Sequence, residues 1–172
     1  MQLNEEINNL LNRIKESSAK SRNNQSLLNL LLKEICSFTG WEYGEAWLPD
    51  AEQKQMKFAA AWSINKKRFA DFEKFSSICK FAEGVGLVGK TWKQKHALND
   101  DHLSIKSDFL RYEIGRKCGF VNGKSFFTFT NNNIPLIFAF FSTQIKPDDE
   151  KFFQHVNEIL QHTGKLITHN SD

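Results

Sequence analysis

Paired cysteines, blocks of like charge and long apolar runs are all missing from this sequence. Its three cysteines, at positions 36, 79 and 118, are odd in number, far apart and in no CxxC spacing. That excludes a secreted disulfide framework and a structural zinc site, and it favours a reducing, cytoplasmic compartment. The 23 basic and 20 acidic residues leave a net charge of only +3 and form no run of five like charges. A nucleic-acid or lipid-surface partner therefore finds no support. The longest apolar run, Ile134 to Phe141, is interrupted by Pro135 and falls far short of the ~20 residues a membrane helix needs. Residues 1–18 hold no continuous apolar segment, so no signal peptide is expected. Tyrosine is scarce as well: 2 residues against 16 phenylalanines and 4 tryptophans, the makings of a large aromatic core. A chain of 172 residues suits one domain, able to bury roughly 70% of its unfolded surface without metal or disulfides.

The first 38 residues read as helix. Leu3, Ile7, Leu10 and Ile14 recur at the spacing of a two-stranded seam. The phase continues through the polar Ser17, Ser21 and Asn24 into Leu28, Leu31, Ile35 and Phe38. Either one helix runs through, or Ser21–Asn24 is a break with Asn23 or Asn24 as the cap of a second helix. Residues 1–24 are thus expected to form a dimerisation helix, with Leu28 and Leu31 extending the seam, ahead of a globular domain over 25–169. Folding of the helix back onto its own domain is the competing arrangement.

Trp41–Leu48 and Gln55–Ser63 flank Pro49-Asp50 as a hairpin, with Met56, Phe58, Ala60 and Trp62 alternating onto one face. Lys66–Lys80 is amphipathic through Phe69, Phe72 and Phe75. A glycine-punctuated loop from Phe81 to Gly89 leads into a short helix, Leu87–Gln94. His96–Asn99 reads as a short strand, and Ser107 or Asp108 as the cap of a helix through Arg116. Ser125–Thr130 and Ile134–Thr143 make a second hairpin around three asparagines. Pro147-Asp-Asp-Glu150 opens a last helix reaching about Thr168. The order is that of an α/β (α+β) protein with a mainly antiparallel sheet.

The chain resembles a GAF domain, a small-molecule sensor module of signalling proteins, over roughly Leu31–Thr168. The resemblance rests on Gly40-Trp-Glu-Tyr-Gly-Glu-Ala-Trp-Leu-Pro-Asp50, on Phe81-x-x-Gly84-x-Gly86-Leu-Val-Gly89-x-x-Trp92, on Asn99-Asp100, on Ile137–Ser142 and on Pro147–Glu150. It departs from the family at Val88 and Ala97. The resemblance implies an antiparallel sheet of five or six strands, with the terminal helices on one face and a ligand-pocket layer of loops and helices on the other. It also implies a homodimer; with no kinase, cyclase or DNA-binding region in the sequence, a separate signalling protein is the expected partner.

Several constellations compete for chemistry. Gly84-x-Gly86-x-x-Gly89 spells a dinucleotide fingerprint, but no parallel strand precedes it and a close backbone approach explains it better. Asn65-Lys66, Phe69 and Glu73 echo a cyclic-nucleotide signature of GAF domains, with one acid too few and in the wrong place. The stretch Asp108–Lys117 has neither the cysteine nor the histidine of bilin-binding relatives, which argues against covalent bilin; no other cofactor is named. Cys118 stands about where free methionine sulfoxide reductases, stand-alone GAF enzymes, carry their catalytic cysteine, with Arg116 and Lys117 near enough to lower its pKa. No second cysteine stands at Val88, and Gly119-Phe120 replaces the family's acidic motif. His96 and His102 flank Asn99-Asp100-Asp101 at a spacing that fits no helical metal site.

The expected function is accordingly a non-enzymatic regulatory module with a ligand site lined by Phe58, Phe75, Trp92, Thr128 and Phe138. The alternatives are a scaffold whose pocket is filled by its own phenylalanines, and a thiol reductase using Cys118.

Overall fold

The computed structural model describes residues 2–21, 23–100, 111–146 and 149–168, and side chains from residue 4 onward. Six strands form one antiparallel sheet in the order β3-β2-β1-β6-β5-β4. They are β1 (Tyr43–Pro49), β2 (Gln55–Ser63), β3 (Lys80–Ala82), β4 (Leu98–Asp100), β5 (Asn122–Phe129) and β6 (Pro135–Ser142). The helices are α1 (Gln2–Ser18), α2 (Asn24–Thr39), α3 (Lys66–Ile78), α4 (Gly86–Gln94), α5 (Tyr112–Cys118) and α6 (Glu150–Gly164). The sheet carries two cores. On one face α1, α2 and α6 pack over Ala46, Ala60, Phe126, Leu136, Phe138 and Phe140. On the other, α3, α4 and α5 cover Tyr43, Trp47, Phe127, Ile137, Ala139 and Phe141. This is the GAF-like arrangement that the motifs imply, terminal helices together on one face; Phe38 of α2 stacks on Phe152 of α6 at 5.7 Å.

Local chemistry accounts for the element ends. The polar middle of the N-terminal segment is a break, and the Asn23 side chain accepts the Ser26 N–H at 2.9 Å to start α2. Gly40, at φ +70°, stops α2 in the left-handed conformation that costs glycine little. Asn65 caps α3 and Asp149 caps α6 in the same way as Asn23. Pro147 and the expected cap residues Ser107 and Asp108 lie outside the described residues.

The glycine loop starts α4 through a close contact. A Cβ on Gly89 would lie 2.1 Å from the Ala82 carbonyl oxygen, so only glycine lets β3 and α4 approach this closely. Gly89 also accepts a hydrogen bond from the Gly84 N–H at 2.7 Å. The strand preceding the loop, β3, is antiparallel to β2 and not the parallel strand a dinucleotide site requires.

Two expectations are corrected. The first hairpin does not keep one aromatic face. The register shifts between Ala46 and Trp47, which pair with Ala60 and Phe58, so Ala59 is an extra residue. One extra residue reverses every side chain beyond it, which puts Met56 and Phe58 under α3–α5 but Ala60 and Trp62 under α2. The second correction concerns α1. Ile7 (8% exposed), Leu10 (0%) and Ile14 (0%) are buried with Leu28 and Leu31 in the chain's own core; the Leu3 side chain lies outside those described. Arg13 pairs with Glu34 at 3.4 Å across α1 and α2. The seam is therefore intramolecular, and α1 belongs to the same packed body as α2 and α6. An isolated short helix is marginal in water, and the nearest apolar surface to cover its stripe is the one that α2 and α6 already offer.

Replacing Ile7 and Ile14 with lysine is thus expected to destabilise the fold and not merely to separate chains. Each change should cost at least the roughly 2–5 kcal/mol of truncating a buried isoleucine. Urea unfolding followed by circular dichroism checks this; a double variant as stable as the wild type would restore the free-stripe reading.

Candidate functional site

The central strand β1 determines the site. Its alternation points Tyr43, Glu45 and Trp47 to the α3–α5 face, so a carboxylate sits among aromatic rings with no exposure at all. A buried carboxylate is tolerated only with a paired cation, and the cation comes from 66 residues along the chain. Arg111, 2% exposed, brings Nη2 to 2.7 Å from Glu45 Oε1 and donates from Nη1 to Oε2 at 2.9 Å. The same Nη1 donates to Ser76 Oγ of α3 at 2.5 Å, and the Tyr43 hydroxyl donates to Oε2 at 3.3 Å. Burial, followed by the nearby Glu45 carboxylate, pushes the Tyr43 phenol well above its ordinary value.

Aromatic rings enclose the guanidinium. Its carbon lies 4.7 Å from the centre of Phe72, 5.4 Å from Trp47, 5.5 Å from Phe81 and 5.4 Å from Phe141. These distances are in the range in which ring quadrupoles attract a cation. Beyond this cage, Phe69 stacks on Phe120 at 5.0 Å and Phe72 meets Tyr43 edge-on at 5.2 Å. Two atoms of the cage are poorly satisfied among the described residues: the Trp47 indole N–H has no acceptor, and Glu45 Oε1 has no aligned donor despite its short contact with the guanidinium. A second polar point lies under α4, where Thr91 Oγ1 and Ser125 Oγ are hydrogen-bonded.

The residues expected to line a ligand site are not brought together. Phe58 and Trp92 border the α3–α5 core, Phe58 edge-on to Trp47 at 5.7 Å. Phe75 is 41% exposed on α3. Thr128 and Phe138 face the other way: Thr128 donates to Gln161 Oε1 of α6 at 3.1 Å, and Phe138 sits in the α2/α6 core. The sequence leaves β6 apolar on both faces, so its alternation carries no information about which face is which. The polar centre carries little local signal: Glu45 stands inside the Gly40–Asp50 motif and Arg111 belongs to no pattern, so an acid between two aromatics on a central strand is the one sequence clue.

Cys118 ends α5 and packs beneath α3, its Sγ 3.8 Å from the Arg68 carbonyl oxygen. Burial pushes its thiol up, although a backbone hydrogen bond at Phe72 and, less, Arg68 oppose this. Arg116 and Lys117 are exposed and do not supply the expected activation. Cys36, at 2% exposure, is a core residue, and Cys79 has its pKa raised by burial. The three cysteines are unbridged. No group of three or more metal-binding side chains occurs among the described residues, from which Asp101 and His102 fall outside. A cleft of about 330 Å³ opens elsewhere, between β4–β5 and α6, beside Lys124, Phe153 and Asn157.

No family model matches the sequence, and no curated protein matches it. Solved structures do resemble the fold. Free methionine-R-sulfoxide reductase from Neisseria meningitidis, solved with its substrate, superposes with a TM-score of 0.70 at 13% identity, over 93% of this chain and 87% of that one. The GAF domain of a phosphoenolpyruvate-protein phosphotransferase from Coxiella burnetii gives 0.72 at 13% identity, over 92% and 90%. A GAF domain from A. aeolicus in an inactive state gives 0.67 at 17%, over 95% and 94%. The chain therefore has a GAF-like fold, one shared by a methionine-R-sulfoxide reductase and by GAF domains of other proteins.

Glu45→Gln should cost roughly 3–5 kcal/mol, because it strands the Arg111 charge in an apolar layer. Glu45→Leu combined with Arg111→Met should recover most of that loss. Urea midpoints of the single and double variants test this, and additive losses would show that the pair is not coupled.

Proposed function

We propose that this chain is a non-catalytic regulatory module that senses a small molecule through the α3–α5 layer and passes the signal to a separate protein. The observation that carries the reading is the charged centre enclosed there: Glu45 and Arg111 within a cage of rings, on the face where a GAF-like fold holds its ligand layer. The burial of Cys118 and its raised pKa support the same reading, since thiol chemistry needs an accessible thiolate. Among the described residues no helix is long and apolar enough to cross a membrane, and unbridged thiols accord with a cytoplasmic setting. A homodimer remains part of the proposal, but through a surface other than the Ile7, Leu10 and Ile14 stripe.

Two observations favour other readings. The mutual packing of Phe69, Phe72, Phe120 and Phe141 favours a scaffold with a self-filled layer. The likeness to a methionine sulfoxide reductase favours an enzyme.

Native mass spectrometry of the purified protein separates the first two. A mass in excess of the 19.9 kDa chain or of a whole multiple of it, lost on denaturation, supports the sensor, and masses that are only whole multiples of the bare chain support the scaffold. For the enzyme, wild type and Cys118→Ser are both expected to leave free methionine sulfoxide at its uncatalysed rate. Turnover by the wild type that vanishes in the variant would overturn the non-catalytic reading.

A further inference from the structure

We propose that the cage around Glu45 is a binding site for a small organic cation, and that Arg111 is its resting occupant, an internal competitor for the ligand. The inference rests on the module reading of the same layer and names its ligand class. A guanidinium is what fills the cage: four rings, Trp47, Phe72, Phe81 and Phe141, lie 4.7–5.5 Å from its central carbon, and Glu45 supplies the counter-charge. Ring faces joined to a buried carboxylate recognise ammonium and guanidinium groups and reject anions and neutral isosteres of the same shape.

The occupant also fits imperfectly. The fully buried Trp47 N–H lacks an acceptor among the described residues, and Glu45 Oε1 lacks an aligned donor. A ligand carrying an amine or guanidine together with an oxygen acceptor would satisfy both, whereas an arginine side chain has no acceptor to offer. Because Arg111 directly precedes α5, seating of a ligand and seating of Arg111 exclude one another. Binding is then reported as release of the start of that helix.

Chemical rescue tests the cage itself. Arg111→Ala empties it, and methylguanidinium chloride is the probe, with neutral methylurea as the isostere. At a concentration about tenfold above its Kd, methylguanidinium should raise the melting temperature of the variant by about 3–6 °C. Methylurea should do nothing. Wild type, with its cage already occupied, should shift by less than about 1 °C. Adding Glu45→Gln to the variant should abolish the effect. Should Arg111→Ala not fold by itself, dilution from urea into methylguanidinium but not methylurea should restore its near-ultraviolet circular dichroism. Equal shifts with both probes, equal shifts in wild type, or no rescue of either kind would overturn the proposal. Native mass spectrometry of the wild type reads ligand carriage separately, so either reading can fail without the other.

Discussion

The enclosed ion pair of Glu45 and Arg111 is the constraint around which the α3–α5 side of the molecule is organised. A carboxylate at zero exposure in the middle of a central strand leaves the chain few options, since an unpaired charge there costs several kcal/mol. The pair ties together β1, the start of α5 and, through Ser76, the last turn of α3. It therefore fixes how three elements that share no local sequence signal meet. Replacing such a pair with apolar residues is often neutral for stability, so stability alone does not account for its presence in an otherwise phenylalanine-rich layer.

The opposite face shows what an ordinary core looks like in the same molecule. There α1, α2 and α6 cover the sheet with aliphatic and aromatic side chains, and the polar contacts lie at the edges. Asn24 is hydrogen-bonded to Thr168, Gln161 donates to the Phe127 carbonyl at 2.6 Å, and a Cβ on Gly164 would lie 2.8 Å from Thr128 Cγ2. These contacts fasten the two ends of the chain over one sheet face. The division of labour is physical: one face is packed for stability, and the other encloses a charged centre that packing alone does not require.

The likeness to a sulfoxide reductase and to GAF domains at 13–17% identity establishes a shared backbone arrangement and no shared chemistry. Chemistry depends on individual side chains. At Cys118 those side chains give a covered thiol with its pKa raised, and at Glu45 they give a cation held in an aromatic cage.

The sequence by itself determined the features that depend on neighbouring residues. Helix starts at Asn23 and Asp149, the stop at Gly40, the two hairpins and the tight glycine loop all follow from local backbone and hydrogen-bonding preferences and are legible; the Asn65 cap of α3 is of the same kind but stands out only in the structure. The order of those elements made the GAF-like architecture legible too, including both terminal helices on one face. Tertiary structure decided what local preference leaves degenerate. A strand apolar on both sides, such as β6, does not say which side Phe138 takes. A single extra residue at Ala59 reverses a strand that reads as continuous alternation. A helical stripe such as Ile7, Leu10 and Ile14 is equally satisfied by a second chain or by its own, and the nearer surface wins. Glu45 and Arg111 meet across 66 residues of chain because burial forces a charge to find its opposite, wherever in the sequence that lies.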